Sequence, residues 1–170
     1  MSVRQIILLR HAHAEPASGD ETDLSRPLTA NGAREAQAAG DWLKTHGAQP
    51  DVVLCSPSAR TRETAAQVMA RLAGGKETSI ETRIYEATPG ALIEVLEEHA
   101  DADCVLLVGH NPGLETLVSL LTDGTSDQGR GMPPGSIAWM HVDGDASIEP
   151  GAARRRHYWW RGESKAARGL

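Results

Sequence analysis

Four short apolar runs, each closed by a polar cluster and followed by residues at helical spacing, set the fold this chain can adopt. Val3 to Leu9 reads as a buried strand cut off by Arg10-His11, and Asp51 to Cys55 as a second strand ending at Ser56. Ser79 to Ile84 is a weaker strand with Glu86 beyond it, and Asp103 to Val108 is the clearest buried strand, closed by His110-Asn111. Helix signals fall between them. Thr29 is a candidate cap for a helix carrying Ala36, Gly40 and Leu43 on one face, with Gly47 as its stop. Ser56-Pro57, Thr88-Pro89 and Asn111-Pro112 each read as a cap followed by proline at the first helical position.

Residues 12 to 27 have no periodicity and hold Pro16, Gly19, Glu15, Asp20, Glu21 and Asp23, which predicts an acidic surface loop. Asp123 to Gly135 predicts a second loop, and Ile137 to Val142 with His157 to Trp160 a closing strand pair. Strands joined through helices need crossover connections. The expected fold is therefore α/β: a three-layer αβα sandwich on a mainly parallel sheet, with an antiparallel C-terminal strand. Residues 1–160 form one domain in this reading, and Arg161 to Leu170 a flexible tail.

In such a sheet the carboxyl ends of the strands share one edge, and ligands bind there. Arg10, His11, Ser56, Arg60, Glu86, His110 and Asn111 should converge on it. Two arginines, two histidines and a carboxylate make a phosphate site with acid–base equipment, because guanidinium donors match phosphate oxygens. A helix opening at Pro57 would aim free amides and a positive dipole end at the same place.

Net charge confines that reading. At −6 the chain as a whole should be repelled by nucleic acid and anionic membranes, so positive charge must be gathered locally. No apolar stretch approaches a signal core or a membrane span. Cys55 and Cys104 fall in strands toward opposite ends of the sheet, so no disulfide is expected and a reducing cytoplasm is the default. Arg154-Arg155-Arg156 with Tyr158-Trp159-Trp160 fits an edge strand with alternating faces better than a nucleic-acid surface. His13, His46, His99, His141 and His157 read as structural or exposed, Trp42 and Trp139 as packing residues, and Arg62 as a solvated first-turn arginine.

Leu9-Arg10-His11-Ala12 resembles the Arg-His-Gly signature of the histidine phosphatase superfamily, the phosphoglycerate mutase-like fold. Ser56-Pro57-Ser58-Ala59-Arg60-Thr61-Arg62-Glu63-Thr64-Ala65 is similar to its second motif and Val108-Gly109-His110-Asn111 to its third. Pro27-Leu28-Thr29-Ala30-Asn31-Gly32 is similar to the segment after the first loop in the small bacterial members, and the short length with Met132 to Ala138 looks closest to the SixA-type phosphohistidine phosphatase branch. The resemblance implies a nucleophilic His11 that forms a phosphohistidine intermediate. It also implies phosphoryl oxygens held by Arg10, Arg60 and His110, with neither metal nor cofactor. Two positions depart from the wider pattern: Ala12 stands where glycine is usual, and Asn111 where the acid phosphatase branch has its proton-donating aspartate. Glu86 lies roughly where the mutase branch keeps an acid–base glutamate, and is read equally as a loop carboxylate.

The implied substrate is a phosphohistidine-bearing partner such as a phosphotransfer or phosphocarrier domain, met by a monomer. A small phosphate ester is the alternative under the same mechanism. A metal hydrolase using His11, His13, Glu15 and His110, and a non-catalytic phospho-protein binder, are rival classes.

Overall fold

The computed structural model describes residues 3–126 and 131–162. Its sheet has six strands in the order β3-β2-β4-β1-β5-β6. They are β1 (Val3–Arg10), β2 (Val52–Cys55), β3 (Thr78–Ile80), β4 (Cys104–Gly109), β5 (Ile137–Asp143) and β6 (Ala153–Trp159). β1 lies centrally and runs parallel to β4, β4 parallel to β2, and β2 parallel to β3. β5 runs antiparallel to β1, and β6 antiparallel to β5. Among the described residues four α-helices cover the sheet: α1 (Ala30–Thr45), α2 (Ala59–Arg71), α3 (Pro89–Glu97) and α4 (Gly113–Asp123).

The continuous apolar runs follow from burial on both faces. Ile6 and Leu8 join Val105 and Leu107 in a core with Leu92, Leu96, Leu114 and Leu117 of α3 and α4. Ile7 and Leu9 join Leu106 and Val108 in a second core with Ala39, Leu43, Ala65 and Val68 of α1 and α2. Alternate residues of one strand thus serve opposite cores. Leu8 and Leu107 are fully buried, and truncating either to alanine costs about 2–5 kcal/mol.

The helix signals hold with two shifts. Thr29 caps α1 by accepting from Gly32 N at 2.9 Å, and Thr88 caps α3 with Pro89 in its first turn. α2, however, begins at Ala59 rather than Pro57, and its cap is Ser58, whose hydroxyl accepts from Thr61 N at 3.3 Å. Its N-terminus is therefore closed by its own cap, and the amides expected to open toward a ligand start two residues later. α4 likewise begins at Gly113 after Pro112, and Asn111 Oδ1 instead accepts from Glu115 N at 3.3 Å.

The expected strand Ser79–Ile84 breaks in two. Only Thr78–Ile80 pairs, because Glu81 turns to cap a 3-10 turn over Thr82–Ile84, and Ile84 alone returns to the core. The loop at 12–27 also contains a 3-10 turn, Asp23–Ser25. β6 starts at Ala153, four residues earlier than the pattern predicts, and forms the sheet edge.

Cys55 and Cys104 are both free and buried, and burial pushes their thiols up to about 11 and about 12. Among the described residues no helix is long and apolar enough to cross a membrane. Of the expected tail, 163–170 lies outside the described residues, as does 127–130 of the second loop.

Candidate active site

β1, β2 and β4 end side by side, so Arg10-His11, Ser56 and His110 meet at one edge. The first loop and the Tyr85-Glu86 turn close over it around a cavity of about 330 Å³. Asp23, Arg60, Tyr85, Glu86, His110 and Asn111 line that cavity.

His11 is buried, with its ring 5.4 Å from that of His110 between centroids. Its Nδ1 lies 2.8 Å from the Ala12 carbonyl oxygen. A carbonyl only accepts, so Nδ1 carries the ring proton and Nε2 keeps its lone pair. Burial, reinforced by the charges of Arg10 and Arg60, brings the His11 pKa down to about 4. The ring is therefore neutral at neutral pH, with its free nitrogen available as a nucleophile.

His110 is fixed from both sides. Arg60 Nη2 donates toward its Nδ1 at 3.4 Å, which leaves Nε2–H to donate to Ser56 Oγ at 2.7 Å. Burial and then Arg60 bring its pKa down to about 3. With both imidazoles neutral, the positive charge of the site is carried by the guanidinium groups of Arg10 and Arg60. Ser56 is fully buried, so it stands behind His110 as the acceptor that sets its tautomer.

Arg10 Nη1 donates to the Met132 carbonyl at 2.7 Å, while its buried Nε has no partner among the described residues. Met132 O also accepts from Asn111 Nδ2 at 2.9 Å, so Arg10 and Asn111 share one carbonyl.

Ala12 does not need the freedom of glycine. Its amide donates to Thr64 Oγ1 at 3.0 Å, and Glu86, at φ 55°, is the only non-glycine residue with positive φ among those described. Gly32 is the position that needs its missing side chain: a Cβ there would lie 2.0 Å from the His13 carbonyl oxygen. That contact presses the start of α1 against the segment after His11. The left-handed conformation at Glu86 costs about 1–3 kcal/mol, and such strain concentrates at functional sites. The turn is held from behind, where a Cβ on Gly113 would lie 2.6 Å from the Ala87 carbonyl oxygen.

Arg60, Glu86, His110 and Asn111 thus line the cavity, with Glu86 exposed, while Arg10 and His11 lie at the same sheet edge outside its lining, the His11 ring against His110. The ligand set of the metal hydrolase reading is not gathered: His13 Nδ1 lies 2.9 Å from Thr29 Oγ1 on an exposed loop. Among the described residues no three His, Cys, Asp or Glu side chains cluster for a metal ion.

Two lining residues carry no sequence motif that singles them out. Asp23 was one of four acids in a loop without periodicity, and Tyr85 a lone aromatic. Here Asp23 receives Arg60 Nη1 on its backbone carbonyl at 2.7 Å and Arg60 Nη2 on Oδ2 at 3.0 Å. Tyr85 Oη donates to the same Oδ2 at 2.5 Å, and Arg26 Nη1 to Oδ1 at 2.9 Å. Tyr85, Arg26 and Arg60 together hold this carboxyl well below the usual carboxylate range. No local pattern marks such a residue, because Arg60 and Tyr85 come from two other segments and only Arg26 from its own loop.

Comparison with known proteins agrees with this fold. The family model described as histidine phosphatase superfamily (branch 1) matches residues 6–92. An uncharacterized protein of Mycobacterium tuberculosis is 34% identical over 154 residues, covering 85% of this chain and 94% of its own. The phosphohistidine phosphatase SixA of Escherichia coli is 32% identical over 127 residues, covering 71% of this chain and 75% of its own. A solved structure of the protein histidine phosphatase SixA complexed with tungstate shares the fold at a TM-score of 0.81 and 23% identity, over 94% of this chain and 99% of that one.

Proposed function

From the premise that the chain belongs to the histidine phosphatase superfamily, branch 1, we propose that it removes phosphate from protein phosphohistidine through a covalent intermediate on His11, without a metal. The observation that carries this reading is the His11 ring, neutral and held by the Ala12 carbonyl in the tautomer that leaves Nε2 unprotonated.

The chemistry follows from that tautomer. Nε2 attacks phosphorus, an Nε2–P bond forms, and the bond to the leaving group breaks with its electron pair going to the leaving group. Arg10 and Arg60 would balance charge on the phosphoryl oxygens, with His110 held beside Arg60 by Ser56. Water then attacks phosphorus, the Nε2–P electron pair returns to the ring, and inorganic phosphate leaves with both protons of that water.

A phosphohistidine donor suits this site because nucleophile and leaving group are the same heterocycle. A donor imidazole carrying its own ring proton departs neutral, so transfer to His11 needs no acid. An alkyl ester departs as an alkoxide and needs one. Asn111 offers no acidic proton, which favours the phosphoramidate. The second reading, a small phosphate ester, is favoured by Glu86 alone, a carboxyl on the cavity wall that could serve as proton donor.

The deciding measurement is kcat/KM across phosphohistidine-bearing proteins and small esters at equal salt, with acid-labile phosphate trapped on His11. The expected outcome is a preference for the phosphorylated protein. A clear preference for a small metabolite overturns the substrate assignment, and label on another residue overturns the mechanism.

A further inference from the structure

Arg60 is the most heavily engaged cation of the site. Its side chain is only 7% exposed, and both terminal nitrogens donate to Asp23, one to the backbone carbonyl and one to the carboxylate. Asp23 itself is 47% exposed and sits on the 3-10 turn of the first loop, so the carboxylate can move into solvent while the arginine cannot. The same carboxylate lines the cavity with His110 and Tyr85. A phosphoryl group held by Arg60 would meet a negative charge already in contact with it.

We propose that Asp23 is a specificity-determining residue: its carboxylate is an internal anion that competes with the phosphoryl group for Arg60 and weakens the hold on free phosphate. The proposal rests on the phosphatase reading of this site and adds to it how the product is let go. Substrate bound partly through a protein surface can overcome this competition with contacts outside the cavity. Inorganic phosphate has no such contacts and is released. The competition also raises the threshold for small phosphate esters, which grip little beyond the phosphoryl group.

The geometry makes the test clean. Arg60 Nη1 is anchored to the backbone carbonyl of residue 23, which a substitution leaves in place, and an asparagine oxygen can still accept from Nη2. Asp23→Asn therefore removes the charge and keeps the arginine where it is. Titration of inorganic phosphate into the two proteins should show binding roughly tenfold tighter in Asp23→Asn, as expected for deleting a half-screened like charge beside the ligand. KM for a small ester should fall in parallel, kcat should not rise, and Asp23→Glu should return both values toward those of the parent. A residue that merely stabilised the loop would lower the melting temperature and kcat without tightening phosphate. Unchanged or weaker phosphate binding in Asp23→Asn overturns the proposal. Arg60→Ala separates the two levels. If phosphate binding by the parent survives Arg60→Ala, the site reading itself fails. If Arg60→Ala abolishes binding while the parent and Asp23→Asn bind phosphate equally, only the role of Asp23 is rejected.

Discussion

His11 and His110 face each other at 5.4 Å between ring centroids, and His46 and His157 at 5.2 Å, yet the two pairs have different surroundings. In the first pair, at the carboxyl edge of the sheet beside Arg10 and Arg60, His11 is buried and His110 half-buried, and each ring is locked in one tautomer. The second lies on the face formed by α1, β5 and β6. His46 stacks on Trp42 at 3.9 Å and donates to the Trp42 carbonyl, while His157 is edge-on to Trp42 and tilted against Trp139. No guanidinium is hydrogen-bonded to either ring of the second pair among the described residues. A close histidine pair is therefore no site in itself. What distinguishes the first pair is the donor array around it and the fixed proton on each ring.

The sharpest way to break this comparison is to remove one member of each pair. His11→Ala should abolish turnover, by about a thousandfold or more, as expected for deleting a nucleophile. His157→Ala should leave kcat/KM unchanged and lower stability by about 1 kcal/mol, read by thermal melting, as for a partly buried aromatic contact. Retained activity in the first variant, or lost activity in the second at equal folding, would erase the distinction.

Removing the cations is next in size. Arg10→Ala and Arg60→Ala should each cost about a hundredfold in rate, as for other preorganised charge-stabilising groups, with little change in melting temperature. If neither slows turnover, the arginines are not what separates the two pairs.

The pH response follows in magnitude. The folded pKa of His11 is about 4, below the ordinary value, so the nucleophile remains neutral as pH falls through 6.5 and is lost only near 4. At about pH 5 an ordinary histidine is roughly thirtyfold poorer in its neutral form than this one, from a gap of that size. His11 and His110 resonances should stay at their neutral positions at that pH, and rapid-quench labelling of His11 should persist. Midpoints near 6.5 for both would show that burial and arginines leave the pair unchanged.

Glu86 is the smallest expected effect and the one most informative about the leaving group. Glu86→Gln should slow esters with poor leaving groups about tenfold, activated aryl esters less, and phosphohistidine least. Glu86→Gly is the companion variant, since glycine accepts φ 55° without strain and so separates loss of the carboxyl from loss of the turn. Equal slowing of all three substrates by Glu86→Gln points to a positioning role.

What could be read along the chain was set locally. The two-sided burial of β1 and β4 is visible as unbroken apolar runs, and Thr29 and Thr88 as caps, because each depends on residues a few positions away. That Arg10, His11, Arg60 and His110 share an edge follows once the strands are parallel, since chain direction alone puts their carboxyl ends together. The start of α2 was misplaced by two residues because Ser56 and Ser58 are both competent caps. The choice between them depends on His110 taking the hydroxyl of Ser56 across the sheet.

Only the tertiary structure decided the rest. Asp23 reaches Arg60 across 37 residues of sequence and Tyr85 across 62, and nothing in a loop rich in acids says which one turns inward. The tautomers of His11 and His110 depend on oxygens of Ala12 and Ser56, and the protonation of both rings on how far water is excluded. Apolar periodicity records which face of an element is buried, and so it determined the sheet, its helices and the edge where the site would lie. Hydrogen-bond partners and local dielectric arise between segments brought together by folding, and these made one pair of histidines a candidate centre for phosphoryl transfer and left the other in a stack of tryptophans.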